Sequence, residues 1–404
     1  MRVVVTLEYR FDVTPDGAVW ARTTFDHAFW RRYLAVFDEV QVTARANPVA
    51  RAEPGWMRVD GPGVRFHELP HYIGPWQFMK QSAALTRALV SAVRPGDAVI
   101  LRVGSPIADR LQPMLAEAGK PYGVEVVGDP WDVFGPGVFS HPLRPLLRHH
   151  FARQLKRQCA GACAASYVTQ EALQRRYPAG RGVPTFGVST IELRPEAFVA
   201  EPRQGRRGPG RKRLVFVGTL EQLQKGPDVL IAAVATCRSR GLDVEVSLIG
   251  DGRARGSLEE RAQRLGVAEV VRFTGTLPSG APIRRELDAA DLFVLPTRGE
   301  GLPRAMIEAM ARALPCIGTG VGGIPELIPS EDRVPVGDAE ALAAKIAEFL
   351  GDPARMFVAS ARNLGRAREY RAELLEERRT RFYRALRRST DAWLANSPAC
   401  TVRS

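Results

Sequence analysis

The residues best suited to chemistry lie in TRGEGLPRAMIEAM, residues 297–310. Gly299 and Gly301 allow a tight turn and a close approach of backbone to a ligand. Pro303 suits the first turn of a helix predicted to run to about Leu314. N–H groups around Gly301, Leu302 and the residues after Pro303 have no partner inside that helix and would favour an anion. Glu300 falls in the turn before the helix, and Glu308 eight residues later in its second turn. Two carboxylates flanking an anion-binding turn can accept hydrogen bonds from hydroxyls, which suits a phosphorylated sugar. The spacing equally fits a surface helix in which Glu308 pairs with Arg304 or Arg312, four residues to either side.

A second segment, FVGTLEQLQKGPDVLIAA (216–233), has a strand ending in Gly218, a loop carrying Lys225, and Gly226-Pro227 opening a helix. A lysine in such a loop can neutralise a diphosphate; a solvated loop side chain is the plain alternative. Only six of the 57 basic residues are lysine, so a lysine at this point draws notice.

These segments need a scaffold, and the chain has one. Apolar strands at 3–7, 39–44, 64–69, 98–103, 122–127 and 164–169 alternate with helical stretches. The alternation resumes with strands at 214–218, 244–250, 270–275, 291–296 and 315–319. Continuous apolar strands separated by helices predict parallel sheets covered on both faces. The stretch from 194 to 213 is rich in Pro, Gly and Arg and marks a boundary. The expected organisation is α/β with two Rossmann-like, doubly wound domains, 1–195 and 214–375, joined by a linker at 196–213. A helix in 376–404 is expected to pack back toward the first domain. Ligands of such sheets bind beyond the carboxyl ends of the strands, here in a cleft between domains.

Composition narrows the function. A chain of 404 residues, 45% hydrophobic and 25% charged, is an ordinary globular protein of two or three domains. No apolar run approaches the ~18 residues of a membrane span. The opening MRVVVTL is too short for a signal peptide and reads as a first strand, so a cytoplasmic location is expected. Five scattered cysteines with no C-x-x-C pair argue against a zinc site or a disulfide framework. The net charge of +13 draws anions. Arginine is nevertheless spread along the whole chain and no RRM, KH or helix-turn-helix signature appears, so no nucleic-acid partner is expected.

Taken together, VGTLEQLQKG, LIGDG (248–252), AADLFVLPT, the Glu300-x7-Glu308 spacing and ALPCIGTGVGGIPELI resemble the donor half of a family 4 glycosyltransferase of GT-B architecture. The resemblance spans roughly 214–350. It implies retaining, metal-independent sugar transfer from a nucleotide diphosphate sugar, with UDP favoured over GDP, and no cofactor. Lys225 then matches the lysine on the diphosphate, Glu308 the ribose-binding carboxylate, and Glu300 the residue beside the anomeric centre. Gly218, Thr219, Gly250, Gly299, Gly301, Leu302, Pro303 and Arg304 complete the implied donor site. Thr219 replaces an arginine usual in the family six residues before the lysine, and Arg304 is the candidate to compensate. Gly128 falls where many members carry a histidine; Asp129, Trp131 or Asp132 are candidates to line the cleft instead, Asp129 as a catalytic group.

The acceptor half is less legible. A loop at 10–22 is expected after the first strand, with Gly17 and Trp20, together with Trp131, as acceptor-binding candidates. His67 and His71 lack ligand spacing and read as structural. In 141–159, Leu143, Leu146, Leu147, Phe151 and Leu155 can share one helical face flanked by basic residues. Such a helix either covers the core or lies on an anionic membrane carrying a lipid-linked or glycan acceptor. The rivals are a sugar-nucleotide epimerase on the same fold, a donor-binding protein without turnover, and a phosphorylase. The last would need a pyridoxal lysine where the domain from 214 onward offers only Lys225 and Lys345.

Overall fold

The computed structural model describes residues 1–135, 141–204 and 210–396. Residues 205–209 of the expected linker and 397–404 of the expected terminal helix lie outside the described residues. Two sheets organise the chain. In the first, parallel strands run in the spatial order Val64–Leu69, Glu39–Pro48, Arg2–Val13, Ala98–Val103, Gly123–Val126, Ala164–Tyr167, Thr185–Gly187. The second sheet is parallel throughout: Val271–Gly275, Val244–Ile249, Lys212–Val217, Leu292–Leu295, Cys316–Thr319, Arg333–Val334. Its central strands are buried at nearly every position, which is why they read as apolar runs without alternation.

The first strand corrects an expectation. It does not end at Leu7 but continues to Val13, turns at Thr14–Gly17 and returns as Val19–Ala21, which pairs in turn with Met57–Arg58. The segment expected as a loop at 10–22 is therefore a hairpin. Phe11 is buried among Tyr9, Phe25 and Phe66. Asp12, also buried, takes hydrogen bonds from Arg22 at 2.7 and 3.0 Å and from Asn47 at 2.6 Å. Its charge hid the strand from an apolar count.

The long helix Ala372–Asn396 returns to the first domain. Phe382, Tyr383 and Leu386 are fully buried in that domain's core, and Phe382 lies against Gly123 closely enough that a Cβ there would stand 3.1 Å from the ring. The basic helix forms over Arg144–Ala160, but its apolar residues divide. Leu155 and Cys159 are in the core, whereas Leu143 and Leu146 face solvent, Leu146 at 66% exposure. The expected single face is thus two: a buried C-terminal half and an exposed N-terminal end.

Candidate functional site

The strand Lys212–Val217 ends at Gly218, and the loop behind it closes through Leu223–Lys225 into the helix Pro227–Ser239. Gly226 sits at φ +75°, and a Cβ there would stand 2.1 Å from the carbonyl oxygen of Pro296. Only glycine lets the Lys225 loop touch the end of the neighbouring strand. Arg298 and Asp228 lock the contact with a two-point ion pair at 2.9 and 2.7 Å, and the Arg298 amide donates to the Gln224 carbonyl at 2.7 Å. The Gln224 side chain donates to the Gly299 carbonyl at 3.0 Å. Arg298 and Asp228 were not picked out from sequence. Their charges 70 residues apart carry no local signal, and only the strand order brings them together.

This bracing sets Lys225 against Glu300. The two form an ion pair, with the Glu300 side chain only 11% exposed. The stem of Lys225 runs over Gly218, and the Gly218 carbonyl abuts Gly250. Behind Glu300, Gly322 at φ +54° admits the Glu300 carbonyl within 1.9 Å of where a Cβ would be. Gly218, Lys225, Gly250 and Glu300 are therefore one cluster at the carboxyl end of the second sheet. Thr219 stays local: its hydroxyl accepts from the Glu221 amide at 3.2 Å.

The helix runs Arg304–Ala311, shorter than expected, with Pro303 as its cap residue rather than inside the first turn. Arg312 is drawn off to Asp288 at 2.8 Å, so the predicted Arg312–Glu308 pair does not form. Glu308 makes no ion pair among the described residues. Burial raises the carboxyl's pKa above its ordinary value, and the charges of Arg304 and Arg284 pull it partly back. Arg304 is exposed and Leu302 buried.

The first domain closes over this loop. A Cβ on Gly301 would stand 3.4 Å from the Val127 carbonyl and 3.9 Å from Gly128; one on Gly299 would stand 3.1 Å from Asp132. Asp129 faces inward. Its carboxylate caps the helix Pro130–Val133 through the Trp131 amide at 2.9 Å, accepts from the Tyr177 hydroxyl at 2.5 Å and pairs with Arg176. Both oxygens are engaged in holding the loop, which places Asp129, expected as a catalytic group, in a structural network in this structure. Trp131 is stacked under Arg148, 3.8 Å from its ring centre, and its carbonyl accepts from the same guanidinium at 2.7 Å. Gly17 lies at the exposed hairpin turn, and Trp20 donates to Thr14 at 3.2 Å beside Arg58. These contacts are internal to the hairpin. His67 bonds the Ala88 carbonyl at 2.9 Å.

One further contact joins the domains. Glu326, on the short helix Ile324–Leu327, accepts the amides of Gln170, Glu171 and Ala172 at 2.7, 3.0 and 2.5 Å. It thereby caps the helix Ala172–Arg176 of the other domain. Replacing Glu326 by Ala orphans those amides. The expected result is a more open average separation of the domains by small-angle scattering, with each domain's fold intact. An unchanged scattering profile would show the contact to be incidental.

Residues 211–352 match the family model described as glycosyl transferases group 1. The match covers the second domain, about a third of the chain. It is 26% identical over 310 residues to protein CapJ of Staphylococcus aureus, covering 76% of each chain. It is 28% identical over 333 residues, 72% of this chain and 83% of the relative, to a GDP-mannose-dependent phosphatidylinositol monomannoside mannosyltransferase of Mycolicibacterium smegmatis. Among solved structures, sucrose-phosphate synthase from Thermosynechococcus elongatus superposes with a TM-score of 0.70 at 18% identity, over 96% of this chain and 100% of that one. Anabaena HepE in complex with UDP-glucose gives 0.63 at 16%, over 94% and 98%. The architecture is GT-B, and the chain has relatives in polysaccharide and glycolipid synthesis. Among the described residues no three His, Cys, Asp or Glu side chains gather as a metal site, and no helix is long and apolar enough to cross a membrane.

Proposed function

We propose that the protein transfers a sugar, with retention of anomeric configuration, from a nucleotide diphosphate sugar to an acceptor hydroxyl. The observation that carries this reading is the braced Lys225–Glu300 pair at the mouth of the second sheet, under the first domain's Val127–Asp132 loop. Lys225 turns from Glu300 to the diphosphate when donor enters, and amides at the start of the Arg304–Ala311 helix share the charge. No metal or cofactor is assigned a part. The bond from the anomeric carbon to the diphosphate oxygen breaks as the bond to the acceptor oxygen forms on the same face. The departing phosphate oxygen takes the acceptor's proton. Glu300 orients the sugar, and Glu308 accepts from the ribose hydroxyls.

UDP is the favoured nucleotide, since the solved neighbour holds UDP-glucose; GDP stays in the test because one relative is named for GDP-mannose. Incubating the enzyme with UDP- and GDP-sugars, and following nucleotide release with and without acceptor extracts, decides between them. Donor conversion without any acceptor would favour an epimerase and end this reading. A lipid-linked acceptor is supported by exposed apolar side chains on the first domain: Trp76 at 72% exposure with Ile73 and Met79, and Leu143 and Leu146 beside a run of arginines. Liposome co-sedimentation should show binding that needs anionic lipid. Equal absence from neutral and anionic vesicles would exclude membrane contact. The protein is expected to work on the cytoplasmic side.

The raised pKa of Glu308 sets a pH signature. A carboxyl that holds its proton more tightly in the folded state stabilises the fold below its unfolded pKa, and that stability is lost as pH rises through the folded value. Hydroxyl recognition needs the ionised form, so donor affinity should rise across the same window. Glu308→Gln should raise the apo melting temperature at neutral pH, flatten this pH dependence and weaken donor binding about tenfold, the worth of one charged hydrogen bond. A variant with wild-type affinity at every pH would remove Glu308 from the site.

A further inference from the structure

At the carboxyl ends of the first sheet lies a small cavity of about 20 Å³. Arg32, Arg102, Glu125, Ser166, Ser189 and Arg379 line it. Val127 and Val168 form part of its wall, and the same two residues meet Gly301 of the donor loop. The cavity is thus on the acceptor side of the cleft.

Its charges do not balance. Glu125 pairs with Arg102 and accepts from the Tyr33 hydroxyl at 3.0 and 3.1 Å. That leaves the guanidinium groups of Arg32 and Arg379 without an ion pair of their own among the described residues, sharing the attraction of the one carboxylate, Glu125. Arg379 comes from the C-terminal helix, is 9% exposed, and has neither an ion pair nor a hydrogen bond among the described residues. Arg32 lies over the Phe29 ring at 3.6 Å, and its Nε is buried with no hydrogen-bond partner. The hydroxyl of Tyr383, which stacks on Tyr33 beside them, is also buried and unpartnered. Burial and then the neighbouring Arg32 press the Arg379 pKa downward, and Tyr383, Glu125 and Tyr33 offset this only in part. An only partly compensated buried cation is costly and is rarely retained without use. The space suits at most a phosphate- or carboxylate-sized group rather than a whole sugar.

We propose that this cavity binds an oxyanion, a phosphate or a carboxylate carried by the acceptor, with Arg379 and Arg32 as its ligands. The proposal rests on the transferase reading for what the anion belongs to, but its test does not. Guanidinium forks match both oxyanions, and the Ser166 and Ser189 hydroxyls can complete either set.

The test compares thermal unfolding of the full chain in chloride, inorganic phosphate and acetate at matched ionic strength. Lys225→Ala serves as the background that removes the donor's own phosphate site. Phosphate or acetate should raise the melting temperature by roughly 2–4 °C over chloride in that background. The responding anion identifies the acceptor's charged group. Arg379→Met should lose the shift and, freed of an unpaired cation, melt no lower than its parent in chloride. An equal anion shift with and without Arg379, or no anion-specific shift at all, overturns the proposal. Should Arg379→Met fail to fold, Arg32→Lys retains the charge but not the fork, and must reduce the shift at least by half. UDP binding by the wild-type chain, measured alongside, reports separately on the donor site. Phosphate binding without nucleotide binding would sink the donor reading alone, and the converse would sink only this one.

Discussion

Lys225→Ala should remove half or more of the stabilisation that a nucleotide diphosphate gives the wild-type protein. A ligand at 100 times its dissociation constant stabilises a fold by about 2.7 kcal/mol. Losing a charge-assisted contact to a diphosphate costs roughly 1.5–3 kcal/mol, or about ten- to a hundredfold in affinity. At fixed ligand the stabilisation therefore falls from about 2.7 to roughly 0.4–1.4 kcal/mol. Turnover should fall further than affinity, because the leaving diphosphate gathers charge in the transition state and Lys225 is the nearest cation the loop supplies. The substitution has a second consequence in the free enzyme. Glu300, largely enclosed, loses its counter-charge. Lys225→Ala should therefore also lower the apo melting temperature, whereas the double variant Lys225→Ala with Glu300→Gln should recover it without recovering affinity. Calorimetry with UDP and GDP on the four members of this cycle measures both effects. Wild-type nucleotide affinity in Lys225→Ala would move the diphosphate elsewhere in the cleft.

Thr219 bears on the same measurement. Where an arginine would have offered a second cation, the threonine is engaged with the Glu221 amide. Arg304 is exposed on the first turn of the helix, and its charge is felt by Glu308. Arg298 is too firmly held by Asp228 to reach a ligand. In the proposed site a diphosphate would thus depend on Lys225 and helix amides with few substitutes. That is why a single alanine is expected to have so large an effect.

What the sequence made legible follows from how local each feature is. Buried parallel strands announce themselves as apolar runs, and Gly226-Pro227 marks a helix start in two residues. The Glu300–Glu308 spacing is likewise contained in one loop and one helix. The strand from Arg2 to Val13 was only half legible, because Arg10 and Asp12 interrupt the apolar pattern, and the partners of Asp12, Arg22 and Asn47, come from elsewhere. Asp129 had the right residue type in the right loop for chemistry. What assigns it to structure is Tyr177 and Arg176, nearly fifty residues away. The Arg298–Asp228 lock, the Glu326 cap and the unpaired Arg379 all join segments 70 or more residues apart, and no local spacing encodes such pairs.

Gly226→Ala should be the most damaging small substitution in the second domain. The left-handed backbone at φ +75° costs a non-glycine residue about 1–2 kcal/mol by itself. The added methyl would also stand 2.1 Å from the Pro296 carbonyl oxygen, and that neighbour is backbone of a buried strand end that cannot rotate away. The loop must lift, which breaks the bonds from Gln224 to Gly299 and from Arg298 to Gln224 and Asp228. Together these place the loss near 3 kcal/mol or above, within the range of severe strain at a special backbone position. For a domain of this size the melting temperature falls by roughly 6–12 °C. Gly256 is the matched control. It lies in the helix Arg255–Arg264, where a Cβ meets open space, so Gly256→Ala should be neutral or slightly stabilising. Differential scanning calorimetry of the two variants separates strain from any general effect of adding a methyl. Because the same lift carries Lys225 away from Glu300, Gly226→Ala should also lose donor binding at temperatures where the domain is still folded. Full donor affinity in a destabilised Gly226→Ala would mean that the loop, not its contact with the Pro296 strand end, positions the lysine.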